Sequence, residues 1–169
     1  EGSDFGGRGV SRWDLKTGKR TVLLDRFQGK KFNAPNDICV DRLGRIYFTD
    51  PKYVGAEPRE LEHRSVYRID RDGTVLEITH EVGKPNGIAL SPDGKTMYLA
   101  DHDNGTDRIG SDEKPKPGAM KIHAFPLDAD GKVGRAYGAR TTPHMFVINP
   151  EGMVIYKRAI DDKPTADKA

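Results

Sequence analysis

Two asparagines carry the chemistry this sequence offers most clearly. Asn36 and Asn86 each follow a proline, precede Asp or Gly, and open an aliphatic segment, 50 positions apart. A side-chain amide presents a neutral oxygen, which suits a hard cation such as Ca²⁺ or Mg²⁺ when carboxylates complete the shell. The same Asn-after-Pro also builds an Asx-turn at the start of a strand. Three carboxylates lie beside these sites: Asp37 directly after Asn36, and Asp50 and Asp101 at the ends of the aliphatic segments. A carboxylate there would ligate the cation or take a proton from water. Its other reading is a turn cap at the end of a hairpin. Tyr53 follows Thr49-Asp50-Pro51 and offers a ring and a hydroxyl to a ligand, or packs its own loop.

Other candidates fare worse. The five histidines show no paired metal spacing such as i, i+4, and read as surface or strand residues. Cys39 sits in an aliphatic strand pattern and reads as a buried, inert thiol. Trp13 reads as packing. No G-x-S-x-G elbow is present, and no P-loop or G-x-G-x-x-G precedes a helix.

The elements that must hold these residues are short strands. Runs of β-branched and aromatic residues reach a turn with Gly, then a second run follows. DICVDRLGRIYFTD (37–50) turns at Gly44 and GIALSPDGKTMYLAD (87–101) at Gly94. Between them SVYRIDRDGTVLEIT (65–79) turns at Asp72-Gly73. GVSRWDLKTGKRTVLL (9–24) turns at Thr17-Gly18, and KIHAFPLDADGKVGRAY (121–137) at Asp130-Gly131. Aliphatic and amphipathic hairpins alternate, so a pair forms a four-stranded unit of ~40–50 residues, the size of a propeller blade. Glu57–Arg64 reads as a loop, and Asp101–Gly118 is a polar connection longer than most, the kind that carries function.

Composition narrows the rest. The 169 residues are 35% hydrophobic and 32% charged, with 19 Gly and 11 Pro, which favours many strands and turns over a helical bundle. No apolar run approaches the ~18 residues of a membrane-spanning helix. A single cysteine excludes an internal disulfide framework, a CxxC pair and a cysteine zinc site. The net charge of +2 comes from interspersed signs, with no basic stripe for nucleic acid. The sequence starts at Glu1 without a leader pattern, which reads as a processed chain or an excerpt.

Asn33-Ala34-Pro35-Asn36-Asp37 with DRLGRIYFTDPKY, and GKPNGIALSPDGKTMYLAD, resemble the SMP-30/gluconolactonase/LRE-like family; RSVYRIDRDGTVLEI and KIHAFPLDADGKVG resemble its intervening strands. The resemblance covers residues 1–133. It implies an all-β fold, here about three blades of a six-bladed β-propeller. It also implies hydrolysis of lactones, and a divalent cation (Ca²⁺ first, Zn²⁺ or Mg²⁺ as alternatives) at the bottom of a central cleft. By the same resemblance, Asn86 matches a metal-ligand Asn and Asn36 a cleft Asn beside metal or substrate; Asp101 is a further metal candidate. Asp37 and Tyr53 join Asn36 as candidate catalytic residues. The family's early Glu has no match, and Thr142-Pro143-His144-Met145 stands where its later Asp would fall. Residues 137–162 resemble instead the last hairpin of a thioredoxin-like domain with Pro143 as a cis candidate. The expected division is therefore a partial propeller over 1–134 and a C-terminal hairpin and tail over 135–169. The expected partner is a small lactone, with no nucleic acid or membrane. Two functional expectations follow: a metal-dependent lactone hydrolase whose cation site is incomplete in this chain, or a non-catalytic partial propeller that self-associates through open sheet edges.

Overall fold

The computed structural model describes residues 7–53, 55–107, 116–127, 144–148 and 154–159. Among these residues there is no helix, and every paired strand is antiparallel. The alternating apolar pattern explains this, because period-two residues can bury one face of a pleated strand and not one side of a helix.

β5 (Ile38–Val40), β6 (Ile46–Asp50), β7 (Ser65–Ile69) and β8 (Val75–Thr79) form a four-stranded meander in that order, one complete blade. β9 (Pro85–Leu90), β10 (Thr96–His102) and β11 (Met120–Pro126) form a three-stranded second blade. Two-stranded ribbons join β1 (Val10–Trp13) to β2 (Arg20–Leu24), and β3 (Arg26–Phe27) to β4 (Lys30–Lys31). A C-terminal hairpin pairs β12 (His144–Ile148) with β13 (Val154–Ala159), so the expected short C-terminal hairpin is present. Residues 128–143, where the division at 134 and the Asp130-Gly131 turn fall, lie outside the described residues.

The glycines expected to turn the hairpins do so through positive φ: 67° at Gly18, 76° at Gly44, 87° at Gly73 and 71° at Gly94. These four segments therefore fold as read.

Two cores sandwich the first blade. On one face Tyr47 and Val66 meet Ile88, Met97, Leu99 and Phe125 of the second blade. On the other face Phe48, Tyr67 and Ile69 meet Val10, Phe32 and Leu61. Alternation along β6 and β7 sends neighbouring residues to opposite cores, so Tyr47 and Phe48, both buried, serve different interfaces. Phe32 packs edge-on against Phe48 and Tyr67, with ring centroids 5.2 and 5.1 Å away. Trp13 is a correction: it ends the exposed face of β1 and is 59% accessible, so it packs no blade. Cys39 is half-buried, not buried; burial and then the charges of Asp37 and Asp41 push its thiol up to about 11, which keeps it protonated and inert.

Candidate active site

The two Pro-Asn loops enter β5 and β9, and each is clasped by an Asp at the far end of its own hairpin. In the first blade Asp50 Oδ2 accepts the Asn33 amide at 2.9 Å and Oδ1 the Ala34 amide at 2.7 Å. In the second, Asp101 Oδ1 accepts the Lys84 amide at 3.1 Å, while Oδ2 lies 3.5 Å from His123 Nε2. Lys84 and Ala34 each stand two residues before their Asn, so the two clasps are equivalent. The clasp exists because a loop turning into a blade has amides that no strand can satisfy, and a buried amide left alone is costly. Burial outweighs the two amide donors at Asp50 and pushes its carboxyl up to about 7. Asp50 thus gives both of its oxygens to loop backbone, and Asp101 one.

A third residue joins the loops to each other. Asn36 N donates to Thr49 O at 2.9 Å, and Thr49 Oγ1 donates to Asn86 O at 2.7 Å. Asn36 and Asn86, fifty residues apart, are therefore bridged through one buried threonine. Asp37 reinforces the bridge. Its amide donates to Thr49 Oγ1 at 3.1 Å, its Oδ1 accepts the Ile38 amide and its Oδ2 reaches across to the Ile88 amide, both at 2.9 Å. A Cβ on Gly87 would stand 3.8 Å from Asp37 Oδ2, in ordinary contact with it.

Tyr53 lies against the second loop. Its hydroxyl donates to His102 O and accepts from Asn86 Nδ2, both at 3.1 Å. The phenol has one proton, which goes to His102, so it can only accept from Asn86. That fixes the amide nitrogen of Asn86 toward Tyr53 and leaves Oδ1 for another partner. Burial raises the Tyr53 pKa, so the hydroxyl stays a neutral donor. Asn36 is exposed and Asp37, Tyr53 and Asn86 are half-buried, which places all four beside solvent.

The donors suit a hard cation only in part. Asn36 and Asn86 supply neutral oxygens, Asp37 and Asp101 already accept backbone amides, and no group of three or more His, Cys, Asp and Glu among the described residues could hold a metal ion. The donor set present does not fit a complete cation site.

Sequence reasoning missed three residues that the geometry uses. Thr49 was visible only as part of Thr-Asp at a strand end. Asn33, fully buried, donates from Nδ2 to Asp50 O at 3.2 Å and His63 O at 2.9 Å, tying the first loop to the β6–β7 connection. Lys84, also fully buried, lies with its ammonium 5.0 Å from the centre of the Tyr53 ring. Only its position directly before Pro-Asn signalled it.

Antiparallel meanders whose two Pro-Asn entry loops are bridged side by side describe part of a β-propeller. The family profile described as SMP-30/Gluconolactonase/LRE-like region matches residues 6–156, and the chain belongs to this family. A gluconolactonase of Zymomonas mobilis is 35% identical over 112 residues, 63% of this chain and 32% of that protein. The lactonohydrolase oryL of Aspergillus oryzae is 34% identical over 116 residues, 64% of this chain and 26% of that protein. The structure of a gluconolactonase from Xanthomonas campestris superposes with a TM-score of 0.62 at 30% identity, covering 86% of this chain and 48% of that one. The chain thus spans about a third of the length of the first of these relatives and less of the second.

Proposed function

We propose that this chain is part of a lactone hydrolase, with Asn36, Asp37, Tyr53 and Asn86 in its reaction cleft. The observation that carries the reading is the Thr49 bridge, which brings the two Pro-Asn loops of successive blades together. Gluconolactonase and lactonohydrolase relatives support a cyclic ester as substrate. In the reaction, water adds to the acyl carbon, the ring C–O bond breaks, and the ring oxygen leaves as the hydroxyl of a hydroxy acid. Asn36 and Asn86 hold the substrate's hydroxyls through their amides. Tyr53 keeps the Asn86 oxygen turned toward the substrate. Asp37 keeps unshared lone pairs beyond its two amide bonds, takes the proton of the attacking water and passes it to the ring oxygen as the ring C–O bond breaks.

A divalent cation, Ca²⁺ by its preference for oxygen, would need carboxylate ligands beyond the two amides found here. The isolated chain therefore binds such a cation no tighter than roughly 10⁻³ M, the weak end of protein Ca²⁺ sites. Its turnover of gluconolactone stays close to the buffer background. Calorimetric Ca²⁺ titration and an acid-release assay check this, and turnover equal to that of the Xanthomonas enzyme would overturn the incompleteness. Binding of gluconolactone, followed by NMR, is expected to disappear in Asn86→Ala; unchanged binding there would overturn the lactonase reading itself.

Exposed apolar residues favour a second reading, self-association. On β5 Ile38 and Val40 are 50% and 61% accessible, and on β11 Ile122 is 48% accessible. In the non-catalytic reading these outer faces pair with a second copy. Light scattering would then show a mass that rises with concentration, whereas a monomer at every concentration contradicts it.

A further inference from the structure

The reaction just proposed gives no task to the buried lysine beside Tyr53. Lys84 has no accessible surface, and burial together with the charge of Arg64 pulls its pKa below the usual lysine range, the cost of holding an ammonium there. Taking such a charge out of water is costly, so its surroundings must return the hydration it loses. They come from the connection that follows β10. Lys84 Nζ donates to the side-chain oxygen of Asn104 and to the carbonyl of Thr106, and Asp107 Oδ1 lies 4.0 Å away. Behind it, the Tyr53 ring offers its π-face.

The same connection is held from the other side. Asp107 accepts Arg59 Nε through Oδ2 at 3.0 Å, and Arg64 through Oδ1. Burial pushes Asp107 up, but the hydrogen bond and charge of Arg64, together with Arg59 and Lys84, outweigh it and hold the carboxyl below its usual range. Asp103 packs close to two glycines: a Cβ on Gly83 or Gly118 would approach its Oδ2 within 2.7 and 2.3 Å. Gly118 N also donates to Asp103 O at 3.0 Å. Tyr53 is thus enclosed by Lys84 on its ring and by His102 O on its hydroxyl, and both contacts depend on where residues 102–107 sit.

We propose that Lys84 is a positioning residue, whose buried ammonium latches residues 104–106 beside the Tyr53 ring and so fixes the hydroxyl that orients Asn86. Its placement two residues before Asn86 makes the latch local: one loop supplies the amide at the cleft, and its predecessor pins the wall that holds that amide. The role in catalysis rests on the lactonase reading, but the latch itself does not, and the two can fail separately.

The test is hydrogen exchange on the intact chain, with ¹³C-labelled tyrosine as a second signal. Lys84→Met keeps the aliphatic stem and removes the charge. Exchange at Asn104, Gly105 and Gly118 is expected to rise at least roughly tenfold, while Tyr47 and Val66 of the blade core keep their rates. The Tyr53 ring resonance is expected to shift. Asn104→Ala, which removes an acceptor at the solvent side, serves if Lys84→Met does not fold, and should loosen the same amides. Non-additive effects in the double variant would place both residues in one latch. Unchanged exchange at these amides with an unmoved Tyr53 resonance, in either variant, overturns the proposal. Loosened amides with unchanged gluconolactone binding in Asn86→Ala would instead retain the latch and remove the lactonase reading.

Discussion

The first and second blades carry the same hairpin, yet they use it differently. Both share a Pro-Asn entry, a Gly turn and a terminal Asp, and both employ that Asp to clasp their own loop. Where the copies differ, the differences interlock. The first has Asp37 and Thr49; the second has Gly87 and Ala100 at the corresponding points. Asp37 reaches over Gly87 to the Ile88 amide, and Thr49 reaches the Asn86 carbonyl. The side chains of the first copy therefore bond to the backbone of the second. The shared residues build each blade, and the divergent ones couple the blades.

Asp50 and Asp101 are where this comparison breaks most visibly. Asp50 serves two buried amides and Asp101 one, so Asp50→Ala should cost about 2–5 kcal/mol and Asp101→Ala about 1–3 kcal/mol in urea unfolding. Equal costs would mean that the two clasps are not built from the amides that distinguish them.

Acidity sharpens the same contrast. The folded carboxyl of Asp50, at about 7, lies above its unfolded value, so the native state binds the extra proton between roughly pH 4 and 7. Its contribution to stability is present at the acid end of that window and is lost as pH rises through 7. The slope is at most ~1.4 kcal/mol per pH unit, and Asp50→Ala should abolish it while Asp101→Ala leaves it. Unfolding curves across that window decide the matter; a slope retained in Asp50→Ala assigns the proton elsewhere.

The inter-blade bridge is expected to be weaker. Thr49→Val preserves shape but removes the bond to Asn86 O and the acceptor for the Asp37 amide, at a cost of about 1–3 kcal/mol. It should also reduce gluconolactone binding, which a purely local packing defect would not. Gly87→Ala ranks last. A Cβ there would stand 3.5 Å from Ala100 Cβ and 3.8 Å from Asp37 Oδ2, ordinary contacts, so less than about 1 kcal/mol is expected by thermal unfolding.

Much of this arrangement was legible in the residues. The hairpins were readable because Gly at each turn interrupts period-two runs, and the equivalence of the two loop entries was readable because the Pro-Asn signal repeats. The residues that couple the copies were not. Thr49 and Lys84 act through contacts 37 and 22 residues away, and no local pattern encodes such a distance. Trp13 misled for a related reason: an aromatic in a strand signals burial only when another layer covers that face, and the ribbon leaves this one open.

The Asn36 and Asn86 amides, from successive blades, are expected to face one ligand. Side-chain ¹⁵N resonances of Asn36 and Asn86, followed through a gluconolactone titration, test it directly. Both amides are predicted to shift along a common saturation curve; shifts at only one of them, or two curves with different midpoints, would contradict it.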